Sequence, residues 1–97
     1  MKKLGLVGGM GPESTMPYYR GIVYGVQART DKEFFPNLTI ESVNVFHILR
    51  LCREKNYDAV TDYLLAAIRN LAAAGADFAA FYLRHFKAIY RVCYAFL

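Results

Sequence analysis

Within eight positions the chain places three glycines, a proline and two hydroxyl residues: Gly8-Gly9-Met10-Gly11-Pro12-Glu13-Ser14-Thr15. The chemistry this pattern supports is anion binding by backbone N–H groups. Gly8, Gly9 and Gly11 accept positive φ angles and let another group approach the backbone closely. Pro12 suits the first turn of a helix, where its missing N–H costs nothing. A helix starting there points unsatisfied N–H groups, with their partial positive charge, into the space above the preceding strand. The hydroxyls of Ser14 and Thr15 either reach a ligand or satisfy N–H groups of the helix start. The run is not the dinucleotide fingerprint, because Gly8 and Gly9 are adjacent and Ser14 stands where the last glycine belongs, and no lysine follows as in a P-loop. The residues alone fit both a small carboxylate or phosphate site and a purely structural turn.

Other reactive side chains are sparse. Asn44 and His47 follow an apolar, β-branched run; His47 either caps the next helix or touches a ligand there. Cys52 and Cys93 form no disulfide framework, and neither Cys-x-x-Cys nor a Cys/His spacing suited to a metal occurs. Cys52 reads as a small packed hydrophobe. No metal or cofactor is expected.

The elements that position these residues alternate. Leu4 to Val7 is a short apolar run, expected to be a buried strand. Met16, Tyr19, Ile22, Val23 and Val26 recur at helical spacing, predicting an amphipathic helix from about Glu13 to Arg29 packed on a sheet, with Gly21 and Gly25 facing a neighbouring backbone. A polar loop through Pro36-Asn37 leads to a second strand, Leu38 to Val45, with Asn44 at its C-terminal end. Ile48 to Cys52 is a short helix closed by Arg53-Glu54-Lys55-Asn56. Asp58 is expected to cap a second long helix bearing Val60, Leu64, Leu65, Ile68, Leu71 and Ala72 on one stripe, and Gly75 to stop it. Asp77 to Tyr82 is the third strand. The fold class is therefore α/β, a parallel sheet with right-handed βαβ crossovers, and the glycine turn and Asn44 fall on the sheet edge where ligands bind in such folds.

The chain has 97 residues, is 56% hydrophobic and carries a net charge of +4, enough apolar material for one small core and no more than one domain. The basic residues are scattered, which argues against nucleic acid as a partner. Lys2 and Lys3 precede an apolar run that glycines interrupt, so no targeting segment is read, no stretch spans a membrane, and a reducing cytoplasm is expected.

Gly8 to Thr15, followed by Tyr18-Tyr19-Arg20, resembles the opening of the aspartate/glutamate racemase family of cofactor-independent amino-acid racemases. Ser42-Val43-Asn44 with Phe46-His47 is similar to a Ser-Val-Asp-Phe-His-like stretch of the family, and Ala73-Ala74-Gly75-Ala76-Asp77-Phe78 matches the end of a family helix. The resemblance covers residues 1 to about 79. It implies a two-domain fold of which this chain holds an incomplete first half, a carboxylate or amino-acid ligand, and a homo-oligomer, commonly a dimer. On the matching positions it implies substrate contacts at Met10, Gly11, Ser14, Thr15 and Asn44. A glutamine that often contributes in the family is replaced at about Arg53.

The family pattern breaks after the third strand. Family members carry a Cys-x-Asn-Thr-x-His-like stretch where this chain reads Phe81-Tyr82-Leu83-Arg84-His85-Phe86-Lys87. Tyr82 stands at about the place of the thiol, and His85 lacks its family neighbours. Racemisation without a cofactor removes a weakly acidic α-proton from one face and returns a proton to the other, which the family does with two cysteines, one as thiolate base and one as thiol acid. No residue here is assigned a catalytic role. Residues 1–80 are thus expected to form a racemase-like fragment and residues 81–97 a divergent basic, aromatic tail, read as a docking helix in preference to a membrane-surface helix. A switch of this kind is what a reading-frame shift before an early stop produces, which the coding DNA tests. The expected function is that of a truncated, inactive racemase-like protein. The alternatives are a carboxylate-binding module and an interaction fragment without catalysis.

Overall fold

The computed structural model describes the backbone of residues 2–82 and 91–95, and side chains over residues 2–80. The element order is β1 (Leu4–Gly8), α1 (Pro12–Arg29), β2 (Leu38–Ser42), α2 (Val45–Arg53), α3 (Tyr57–Ala73), β3 (Phe78–Tyr82) and β4 (Arg91–Ala95). The strands lie in the order β2-β1-β3-β4. β1 is parallel to both β2 and β3, which gives the expected parallel core with helical crossovers. β4 pairs antiparallel with β3. Part of the tail read as a docking helix is therefore a strand; its run Val92-Cys93-Tyr94 is composed of residues that suit a pleated sheet. The expectations about Arg84, His85 and Lys87 lie outside the described residues.

The main core sits between the sheet and the α2/α3 layer. Val7, Met10, Ile48, Ala67, Ile68, Leu71, Ala76 and Ala79 form one buried cluster. Alternation along β1 explains the division: Gly5 and Val7 face α3, where a Cβ on Gly5 would lie 3.0 Å from both Ala76 and Leu71, so glycine at this position lets helix and strand close up. Leu6 and Gly8 face α1. The starts of β1 and β3 are tied by Lys3, whose backbone N–H donates to Asp77 Oδ2 (2.6 Å) while the Asp77 N–H donates to the Lys3 carbonyl (2.8 Å).

The long helices behave differently. α3 buries Ala67, Ile68 and Leu71, and Gly75 follows it at φ 91, the left-handed stop that its position predicts. Its cap is Asn56, whose side chain accepts from the Ala59 N–H; Asp58 instead lies in the first turn, where it favours the dipole. Only Val23 of α1 is buried, and Met16 and Tyr19, expected in its core stripe, are exposed. Among the described residues nothing lies within 4 Å of where a Cβ on Gly21 or Gly25 would stand, so none of them makes the close approach expected there. The apolar residues of α1 surround the helix and do not form one stripe, so the sheet covers only a part of them.

Candidate functional site

The glycine turn is built by Thr15. Its hydroxyl accepts from the Gly9 N–H (3.0 Å) and donates to the Gly11 carbonyl (3.3 Å). The Gly11 carbonyl also receives the Ser14 and Thr15 N–H groups at 3.0 and 3.1 Å. Gly11 is the N-cap residue with φ 89, and Pro12 opens the helix. Gly9, at φ 87, fits against the next turn so closely that a Cβ there would collide with the Val43 carbonyl and sit 2.6 Å from Ser42 Oγ. Both positions thus require glycine for stated reasons, one conformational and one conformational and steric.

This bonding leaves the Met10, Gly11 and Glu13 N–H groups without partners among the described residues. They belong to the turn and first residues of an 18-residue helix, where the positive end of the helix dipole lies. Glu13 is exposed in that first turn.

Each expected contact residue has a definite place. The Met10 side chain is 4% exposed and packs in the main core, so only its backbone is available at the turn. Gly11 contributes its N–H. Ser14 is half-buried and, with Gly8, Met10, Thr15 and Tyr18, lines a cavity of about 10 Å³. That space suits one water molecule and is too small for an amino acid. Thr15 spends its proton and one lone pair on the turn itself.

Asn44 is not strand: β2 ends at Ser42, and Asn44 is the N-cap of α2. The reason is a local bond that outcompetes β propensity. Asn44 Oδ1 accepts from the Phe46 N–H at 3.0 Å, a cap that Asn favours, and Val43 donates its N–H to the Gly8 carbonyl at 2.8 Å. Asn44 nonetheless follows Val43, whose backbone meets both Gly8 and Gly9, and its carboxamide N–H₂ takes no part in the cap.

His47 is not the cap. It sits in the first turn of α2, its ring edge-on to Tyr63 at 4.8 Å between centroids, and its Nδ1 faces Arg50 Nη2 at 2.8 Å. Guanidinium only donates, so Nδ1 accepts and the ring proton sits on Nε2. Tyr63 was invisible as a site residue in the sequence: its hydroxyl, on α3, accepts the Asn44 backbone N–H at 2.9 Å. The one available signal was its spacing, three residues after Val60 and four before Ala67 on the core-facing stripe.

Cys52 is half-buried and packs against the main core, away from the turn. In β4, Cys93 pairs with Ala80, two residues short of the end of β3. Tyr82 is the last residue of β3, following Phe81, which pairs with Val7; its backbone therefore lies level with Gly8. Among the described residues no group of three His, Cys, Asp or Glu could hold a metal ion, and no helix is long and apolar enough to cross a membrane.

The profile of the Asp/Glu/Hydantoin racemase family matches residues 7–82. The chain belongs to this family. Two solved structures are similar to it: an Asp/Glu racemase candidate from Yersinia pestis, with 34% identity and a TM-score of 0.80, and an aspartate racemase homologue from Pyrococcus horikoshii OT3, with 33% identity and a TM-score of 0.74. Each comparison covers 84% of this chain but only 35% of the solved one, so the chain spans about a third of the length of these racemase-family structures.

Proposed function

We propose that this member of the racemase family holds an acidic amino acid, or another small carboxylate, at the β1–α1 turn and does not racemise it unaided. The observation that carries the reading is the Thr15 latch: it fixes the glycine turn while leaving the Met10, Gly11 and Glu13 N–H groups for a ligand. Donors held in advance at a helix start favour a carboxylate without reorganisation. The exposed Glu13 carboxylate opposes a second acidic group on its side of the turn, so the ligand carboxylate binds nearest Met10 and Gly11.

Inactivity follows from where the sulfurs are. Proton removal and return need an acid and a base on opposite faces of the stereocentre. At the place of the family thiol stands Tyr82, Cys52 packs into the core, and Cys93 belongs to a mid-strand register position. In this reading these 97 residues bring no two thiols to opposite faces of one stereocentre, so the chain binds its ligand without turning it over.

Amide chemical shifts of the ¹⁵N-labelled chain, titrated with L- and D-aspartate and glutamate, test the binding. Saturable shifts at Met10, Gly11 and Glu13 are expected, weakened severalfold by Gly11→Ala. Absence of any shift at these amides overturns the reading.

A further inference from the structure

We propose that Tyr63 is a positioning residue for this acid site: from α3 it fixes the β2–α2 turn so that the Asn44 carboxamide stands beside the glycine turn as a second donor. The inference rests on the carboxylate-binding reading above and adds to it a residue on a separate element.

Three contacts define the device. The Tyr63 hydroxyl accepts the Asn44 backbone N–H at 2.9 Å, a bond joining residues 19 apart in the chain. The Tyr63 ring supports the His47 ring edge-on at 4.8 Å, and Arg50 holds the other side of that imidazole through Nδ1 at 2.8 Å. Asn44 is thereby held twice, by Tyr63 at its own N–H and by its Oδ1 on Phe46. With Oδ1 turned to the helix start, the carboxamide N–H₂ is left as the donor that takes no part in the cap, and a donor is what a carboxylate requires. The turn so fixed is also the surface that Gly9 abuts, through Val43 and Ser42, and Val43 is bonded to Gly8. α3, the element best anchored in the main core, thus sets the separation between the two donor groups. His47 serves as a wedge in this arrangement, with Nδ1 already occupied.

Tyr63→Phe removes the hydroxyl and keeps the ring against His47. In the titration described above, with L-aspartate as probe, this variant should bind about fivefold more weakly, the loss corresponding to one neutral hydrogen bond. Hydrogen exchange at the Asn44 backbone amide should accelerate relative to Ile40, and the Asn44 side-chain amide signals should cease to respond to aspartate while the Gly11 amide still does. Asn44→Ser, which keeps a capping side chain but deletes the carboxamide donor, should lose affinity to the same extent, and the double variant should lose no more. If Tyr63→Phe speeds exchange at Asn44 but leaves affinity unchanged, Tyr63 is merely structural and the proposal fails. It fails equally if Asn44→Ser binds as the wild type does. A wild-type chain with no aspartate response at Gly11 sinks the carboxylate reading itself, an outcome distinct from either of these.

Discussion

At Gly9 two independent demands coincide: a φ of 87 and a Cβ position already filled by the Val43 carbonyl. Gly9→Ala therefore incurs both backbone strain and a clash with main chain that cannot rotate away, and should destabilise the chain by roughly 3 kcal/mol in chemical denaturation. Thr15 is a residue where the ligand reading and the capping reading of the sequence compete, and the bonds to Gly9 and Gly11 assign its hydroxyl to the turn. Thr15→Val, which keeps the shape and removes the hydroxyl, leaves the Gly9 N–H without its partner; a loss of about 1–2 kcal/mol is expected, with Thr15→Ser recovering most of it. Equal stability of Thr15→Val and wild type would remove the latch from the account. The glycines, Pro12 and the hydroxyls were legible as a turn because each residue type is dictated by local backbone geometry. The part played by Tyr63 was not, since its bond to Asn44 is a tertiary contact that no local pattern encodes.

Among the elements, β1, α3 and the Gly75 stop were legible from an apolar run, a helical stripe and a left-handed glycine. The end of β2 was not. Val43-Asn44-Val45 favours a strand by composition, yet the Asn44 cap and the Val43 bond to Gly8 start α2 three residues earlier than the Ile48 expected from the sequence. Asn56 and Asp58 are both capping types two residues apart, so composition alone could not choose between them. The helix expected in the tail gave way, over Arg91–Ala95, to a strand that completes a pairing with β3. The two helical layers also differ in how firmly they are held. Leu71 is 1% exposed in the main core, so Leu71→Ala should cost about 2–5 kcal/mol. Ile22 lies on the loosely covered α1 face, lining a groove of about 210 Å³ with Val26, Leu4, Leu38 and Phe78, and Ile22→Ala should cost less than about 1.5 kcal/mol. Amide hydrogen exchange should correspondingly find the middle of α1 opening faster than α3; the reverse order would contradict this division.

For the molecule as a whole, the extent of the match decides what function can be assigned. The chain spans about a third of the two solved racemase-family structures, and α1 presents Met16, Tyr19 and Tyr24 to solvent. Apolar residues at these positions, together with the edge strand β2, favour association, so sedimentation should show self-association rising with concentration; a strict monomer at every concentration would argue against a homo-oligomer. The proposed binding draws on β1, α1 and the β2–α2 turn, all among the described residues, whereas racemisation without a cofactor needs an acid and a base on opposite faces of one stereocentre. The most direct measurement is chiral chromatography of L- and D-aspartate and glutamate incubated in heavy water with the purified chain. Unchanged enantiomer ratios and no deuterium at the α-carbon are predicted. Interconversion abolished by alkylation of Cys52 or Cys93 would contradict the account.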